Sequence, residues 1–510
     1  MSRRNRFLKG VSSGYLTMAA NILYTMGSIP LALHYLPKAE FGLWALITQL
    51  ASYFSLIDLG MYTSTARHII DCKDDKANSR YGSMVLTAAA VFTVQGIIVA
   101  AGGALLCSFA STLVALPSQY VAEFQILLAF QCLFLGLGFL TRLFGILLYA
   151  HQRYDVVNLT QASQLGIMFV TLWTGFYFGL GLYSMLVAGF SAFLWSTCVE
   201  LVACIRLRLL PRKDHWGRPN RKVFGELFVF GRDIFLVGLG AQLINATQVV
   251  IITRVLGLEA AATWAICTKV FILAQQFLVK TYDYAQGAFS EMFVRGELGR
   301  LRHRFRDIST LIASLSVFVC ASIAISNAPF IYLWTNGKVS WSIVNDILMA
   351  GYVFCTAVFC CHGCLAVYTT KEVGFARWIY FLEGATFVVL GYIMAKFIGL
   401  PGVFLSLIIA KICFSGLYGY YRSKHFFHCS YRELVFDWLS APLRYLGIYS
   451  IAISCIWAAT LQVDIQYRLF VIVPLLLSIG LPLLWFFGIT PNLREEIRRM
   501  AGKLVPLLSP

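Results

Sequence analysis

Seven ionisable side chains sit inside stretches otherwise apolar enough for lipid: Asp58, Arg142, Glu200, Lys269, Lys280, Glu383 and Lys411. A charge at the centre of a membrane helix costs about 2.5–3.5 kcal/mol even on lenient insertion scales, so such groups face water or one another. Their chemistry is electrostatic. Amines and guanidinium groups at depth bind phosphates, whereas carboxylates take up protons, metal cations or the basic groups themselves. By the direction of each span, Asp58, Arg142, Glu200, Lys280 and Glu383 lie in the inner half of the membrane, and Lys269 and Lys411 nearer its middle. Lys280 has Asp283 one turn on and Glu200 lies near a span end, so a local pair or snorkelling accounts for those two. Arg142, Lys269 and Lys411 are assigned to a substrate cavity, with Gln49, Gln242 and Asn245 as neutral hydrogen-bonding groups. Asp58 and Glu383 are the carboxylates available to H⁺ or Na⁺, although no cofactor is called for and no metal cluster is expected.

The elements that must position these groups follow from the hydropathy. Hydrophobic residues make up 59% of the chain and charged residues only 13%, and the mean hydropathy is +0.73, far from the composition of water-soluble domains. Apolar runs long enough to cross ~30 Å of hydrocarbon recur along the chain. Backbone polar groups in lipid must be satisfied internally, so each run is a helix and the fold class is all-α. Fourteen spans are expected, at 11–36, 41–66, 82–110, 121–150, 155–178, 182–205, 232–256, 260–283, 308–334, 342–369, 373–397, 401–421, 443–462 and 468–489. Arg3, Arg4, Arg6 and Lys9 before the first run are not the start of a cleavable signal, because that run exceeds a secretory apolar core and lacks a small-residue cleavage site. With this span count, 32 of the 41 Lys and Arg fall in breaks on the side of the N-terminus. Both termini are then cytoplasmic. The net charge of +17 answers to an anionic inner leaflet and not to nucleic acid. Three basic breaks, 216–231, 294–307 and 424–439, are amphipathic and predict short helices lying in the interface.

Two segments 220 residues apart in sequence echo one another. In LHYLPKAEFGLWALITQ (33–49) and TRVLGLEAAATWAICTK (253–269), Leu36, Trp44, Ala45 and Thr48 fall on Leu256, Trp264, Ala265 and Thr268. Each segment is an outer turn between two spans. Spans 1–6 and 7–12 thereby become two parallel lobes related by an axis along the membrane normal. The domains are 1–206, an N-terminal lobe; 207–231, a cytoplasmic amphipathic linker; 232–422, a second lobe; and 423–510, a second linker, spans 13 and 14 and a cytoplasmic tail. The same offset sets Asp58 against Leu278, two residues before Lys280, which suggests that Asp58 and Lys280 meet as an inner gate.

Enzyme chemistry finds no seat in this chain. The longest break, 207–231, holds no soluble domain, and there is no G-x-x-x-x-G-K-[ST] loop for nucleotide phosphates. The outer breaks are too short for a membrane ligase or polymerase of polysaccharide. CCHGC at 360–364 places Cys360 and Cys364 on one helix face and Cys361 and His362 elsewhere, so one helix cannot supply tetrahedral ligands. The 14 cysteines mostly lie in apolar runs and act as small hydrophobes, not as a disulfide framework.

EFGLWALITQ…IDLG at 40–60, its echo at 253–269 and AFSEMFVRGELGRL at 288–301, on fourteen spans, resemble polysaccharide flippases of the O-antigen type. These belong to the multidrug/oligosaccharidyl-lipid/polysaccharide exporter superfamily. The resemblance covers nearly the whole chain. It implies two six-helix lobes in a V around a central cavity, two extra C-terminal helices bordering a groove for a lipid tail, and alternating access. It further implies a lipid-linked oligosaccharide as cargo, a bacterial inner-membrane location, membrane lipids as surroundings, and other membrane proteins of polysaccharide assembly as partners. Lipid II flippases carry arginines in their first helix, yet no Arg or Lys occurs here between Lys9 and Lys38, which argues against a peptidoglycan precursor. A multidrug cation antiporter of the same superfamily is the alternative. The excess of Lys and Arg at depth disfavours it.

Overall fold

The computed structural model describes residues 3–72, 79–114, 116–151, 153–211, 215–364, 374–491, 493–495 and 498. The chain divides into two compact units, Met1–Ala262 and Thr263–Pro510. The first holds α1 (Arg3–Tyr35), α2 (Lys38–Tyr53), α3 (Met61–Cys72), α4 (Ser79–Val114), α5 (Ser118–Ala150), α6 (Tyr154–Tyr177), α7 (Tyr183–Arg206) and α8 (Arg221–Leu256). Next comes α9 (Leu258–Cys267), which runs across the boundary between the units. The second unit continues with α10 (Lys269–Val294), α11 (Leu298–Trp334), α12 (Ile343–Cys364), α13 (Ala376–Ile398), α14 (Leu400–Lys411), α15 (Leu417–Phe427), α16 (Ser440–Thr460) and α17 (Ile465–Leu483).

Among the described residues eleven helices are long and apolar enough to cross a membrane, and thirteen spans result if each of two bent pairs counts as one. The pairs are α2 with α3, bent by 45°, and α9 with α10, bent by 43°. They coincide with the expected second and eighth spans. The bends themselves lie out of register: one falls at Leu59 and Gly60, the other at Thr268, which the 220-residue offset would set on Thr48 in the middle of α2. α6 has the length of a span at 24 residues, but Asn158, Thr160, Gln161, Ser163 and Gln164 hold it outside that apolar set.

In the first unit the break after α2 has a local cause. A 3₁₀ turn at Phe54–Asp58 ends in Leu59 (φ 49°) and Gly60 (φ 72°), two successive left-handed residues, which no helix continues through. Gln95 of α4 satisfies the carbonyls freed there, donating to Ile57 O at 2.7 Å and Asp58 O at 3.1 Å. Where α4 crosses α5, Gly96 and Gly136 face each other, and a Cβ on Gly96 would fall 2.5 Å from the Gly136 carbonyl. Only glycine permits that approach. Met61, Tyr81, Phe92, Phe139 and Leu147 form the adjoining core.

The second unit packs α11 against α12, α16 and α17. Tyr445 and Tyr449 stack at 5.1 Å within a core that includes Val317 and Ile472. The amphipathic breaks differ from expectation. Two of them continue transmembrane helices: 221–231 is the start of α8 and 298–307 the start of α11. Part of each apolar stripe packs into protein, with Leu227, Leu301 and Phe305 fully buried, while Phe224, Phe228, Val229 and Leu298 stay exposed. Within the third, 424–439, α15 ends at Phe427 and a π-helical turn spans Glu433–Asp437.

Arg302 ties α11 to this turn by an ion pair with Glu433 and holds the Glu433 carboxyl below its ordinary value of 4.5. Any stabilisation is therefore complete above that ordinary value and lost as pH falls through the lower folded-state one. Both side chains are well exposed, 40% and 29%, so Glu433→Gln should cost at most about 1 kcal/mol in thermal unfolding near neutral pH.

Candidate functional site

The ionisable residues gather into two centres, one in each unit. In the first, the break at 58–60 places Asp58 at the start of α3, where its Oδ2 accepts from the Tyr62 backbone N–H at 3.3 Å. Capping a helix N-terminus is work suited to an aspartate. Its other oxygen, Oδ1, accepts from Arg142 Nη1 of α5 at 3.0 Å, and the guanidinium lies over the Phe139 ring, 3.7 Å from its centroid. The pair is half-buried, with 26% of the Arg142 side chain and 18% of the Asp58 side chain exposed. Glu200 of α7 lies beside Gly145, one turn along α5 from Arg142: a Cβ on Gly145 would come 3.2 Å from Glu200 Oε2. Gln242 of α8 donates to Ser52 O and Ser52 Oγ at 2.7 and 3.1 Å, and Tyr53 bonds Thr247 alongside. Both contacts fasten α8 to α2. Asn245 is exposed and Gln49 half-buried.

In the second unit Lys411 Nζ meets Glu383 Oε1 at 2.7 Å, with 15% and 1% of the two side chains exposed. The helix opens into a π-helical turn at Ile412–Gly416 just after Lys411. Such a turn shifts the backbone bonding by one residue, and here the Ser415 N–H points to Glu383 Oε2, 3.1 Å away. Glu383 is thus satisfied on both oxygens.

Lys269 differs from these. It is the first residue of α10, immediately past the 43° bend, and half-buried. Among the described residues no carboxylate pairs with it. Of the expected cavity cations, Arg142 and Lys411 are therefore held by carboxylates, and Lys269, among the described residues, is not. The side chain of Lys280 lies outside the described residues, so the arrangement proposed for Asp58 and Lys280 is not placed. Asp58 itself is engaged by Arg142.

One buried carboxylate was not singled out in the sequence. Asp346, in the first turn of α12, is fully buried. Its Oδ1 accepts from Asn327 Nδ2 of α11 at 2.6 Å and from Trp341 Nε1 at 3.0 Å. An aspartate within the apolar window of 343–363 was the available signal, masked by its position beside the polar turn 335–342. Among the described residues no group of three His, Cys, Asp or Glu is placed to hold a metal ion. His362 of the CCHGC segment is buried and bonded to Ser423 Oγ at 2.7 Å.

An apolar groove of about 470 Å³ opens between α11, α12 and α16, lined by Ala321, Ile325, Ile347, Phe354, Ile453 and Trp457 among others.

The multi-pass bundle, broken at two spans and with ion pairs set into its interior, has the fold of the multidrug/oligosaccharidyl-lipid/polysaccharide exporter superfamily. Structural comparison gives a multidrug resistance MATE family transporter in an inward-facing conformation at TM-score 0.64 and 13% identity, over 80% of this chain and 96% of that one. It also gives the lipid II flippase MurJ in an inward closed conformation at TM-score 0.65 and 11% identity, over 92% and 99%. A superfamily transporter from Pyrococcus furiosus, with a binding pocket of reverse polarity, matches at TM-score 0.54 and 14% identity over 83% and 96%. Comparison with curated proteins by sequence finds no significant match. Residues 31–336, more than half of the chain, match the profile of a family of polysaccharide biosynthesis proteins, and the chain belongs to that family.

Proposed function

We propose that this protein carries a polyprenyl-pyrophosphate-linked oligosaccharide from the cytoplasmic to the outer leaflet of a bacterial inner membrane, by alternating access. The observation that carries the reading is Lys269: a half-buried amine at a broken span with no carboxylate among the described residues to neutralise it, in a chain of a polysaccharide biosynthesis family. A buried cation without a partner is costly, and a phosphate supplies the partner by charge-assisted hydrogen bonds. Discontinuous helices are where transporters of many folds hold charged cargo. Arg142 adds guanidinium donors that keep some exposure beside Asp58.

Cargo of this kind has parts with different needs. Sugar hydroxyls and pyrophosphate lose several kcal/mol per unsatisfied polar group in hydrocarbon, so protein or water must meet them. Gln49 and Asn245 are the neutral groups left free to do so. The prenyl tail needs only an apolar path, and the groove between α11, α12 and α16 supports one next to the two C-terminal spans. A pyrophosphate carries about two charges, and outward movement of each across 100 mV, inside negative, is worth ~2.3 kcal/mol. The potential thus favours export by about 4–5 kcal/mol, and ion coupling is not thermodynamically required.

In this reading α6 also crosses the membrane, making fourteen spans in two six-helix lobes plus α16 and α17, with both termini cytoplasmic. An inner gate between Asp58 and Lys280 would first require Asp58 to leave Arg142.

Deletion of the gene in a host that makes a surface polysaccharide should trap its lipid-linked repeat on the cytoplasmic leaflet, reported by resistance of the glycan to a periplasmic glycosidase. Restored dye resistance without restored glycan exposure would instead establish a cationic-drug antiporter.

A further inference from the structure

The two carboxylates expected to take up an ion, Asp58 and Glu383, are each bonded to a basic side chain. Asp346 is different. It is 0% exposed, and both groups that bond it, Asn327 Nδ2 and Trp341 Nε1, donate to the same oxygen, Oδ1. Its second oxygen, Oδ2, is buried without a hydrogen-bond partner, and so is Oδ1 of Asn327. Asn327 is itself 1% exposed. Leaving a buried acceptor unmet costs about 1–3 kcal/mol, and more where it is charged, yet two of them sit on side chains already bonded to each other.

One proton resolves both. We infer that Asp346 and Asn327 form a proton-binding site, an acid–amide pair in which Asp346 Oδ2–H donates to Asn327 Oδ1 while Asn327 Nδ2 donates to Asp346 Oδ1. A carboxylic acid held neutral by an apolar site so that it donates a hydrogen bond is established chemistry. Among the described residues no charged group is paired with Asp346. α11 presents Asn327, the turn before α12 presents Trp341, and α14 presents Phe404, packed against Trp341 at 5.7 Å. From α9 and α10 come the Cys267 carbonyl and, two residues on, Lys269.

The site is coupled to the bend by geometry. Asn327 Nδ2 also donates to the Cys267 carbonyl, 3.1 Å away, at the end of α9. When Asp346 loses its proton to water, Oδ2 and Asn327 Oδ1 become two acceptors facing each other, and the amide must turn or leave. The cap on Cys267 is then lost at the break before Lys269. Proton occupancy at Asp346 thereby controls how the α9–α10 break is held, next to the residue assigned to bind the cargo phosphate. Only this last consequence rests on the proposed transport function.

Infrared difference spectra of the full-length protein in liposomes, taken between acid and alkaline buffers free of sodium, test the site without any substrate. The wild type should show a protonated-carboxyl carbonyl band at neutral pH, which Asp346→Asn abolishes and Asn327→Leu displaces. Asp346→Asn mimics the protonated acid, so it should fold. It should also lose the fall in unfolding temperature that the wild type shows in alkaline buffer. Absence of the band in the wild type, or its persistence in Asp346→Asn, would overturn the inference. So would neutralisation that needs sodium, which would mark a metal-cation site at Asp346, Asn327 and Asn345.

Discussion

Replacing Glu383 by glutamine is expected to destabilise the protein by about 3–5 kcal/mol, the usual cost of removing one partner of a buried pair. Lys411 would keep its charge among packed helices with only 15% of its side chain exposed. Glutamine still accepts from the Ser415 N–H, so the loss isolates the charge and not the cap on the π-helical turn. Thermal unfolding in detergent measures it. The double variant Glu383→Gln/Lys411→Met should recover most of the loss, because an apolar replacement of a buried ion pair is often neutral or better. Unchanged stability in the single variant would mean that Lys411 answers to something other than Glu383.

Lys269→Met is expected to behave in the opposite sense. With no carboxylate left unpaired, stability should hold or rise slightly. Translocation should fall, because one hydrogen bond to a charged group is worth about 1.5–3 kcal/mol, which is roughly a 10- to 150-fold loss in rate. Lys269→Arg should retain activity. The contrast matters: a structural lysine, such as Lys411, fails by unfolding, whereas a cargo lysine fails while folded. Glycan exposure in cells, normalised to the amount of folded protein, separates the two.

Much of the architecture was legible because the membrane imposes a length and a polarity on every span. The broken spans were visible as apolar runs at 41–66 and 260–283, and Asp58 stood out as a charge within one of them. Its partner was not legible. Arg142 is 84 residues away on a helix whose periodicity shows a face but not a neighbour, and Lys411 and Glu383 lie 28 apart on consecutive helices with the same ambiguity. The amphipathic breaks misled for a related reason. An apolar stripe on a basic helix looks alike whether it meets lipid or protein, and in α8 and α11 Leu227, Leu301 and Phe305 meet protein while Phe224, Phe228, Val229 and Leu298 remain exposed. Asp346 was overlooked since an aspartate at a helix start beside a polar turn resembles an ordinary cap, and only burial distinguishes the two.

The central claim is that this chain passes an anionic, sugar-bearing lipid across a bilayer. Liposomes containing the purified protein, loaded with a fluorescent polyprenyl-pyrophosphate oligosaccharide, report it through quenching of label that reaches the outer leaflet. Quenching should be much faster with wild type than with Lys269→Met, and faster still under ~100 mV, inside negative, as two charges moving outward demand. Equal rates in empty and protein-bearing liposomes, with the protein shown to be folded, would contradict the account.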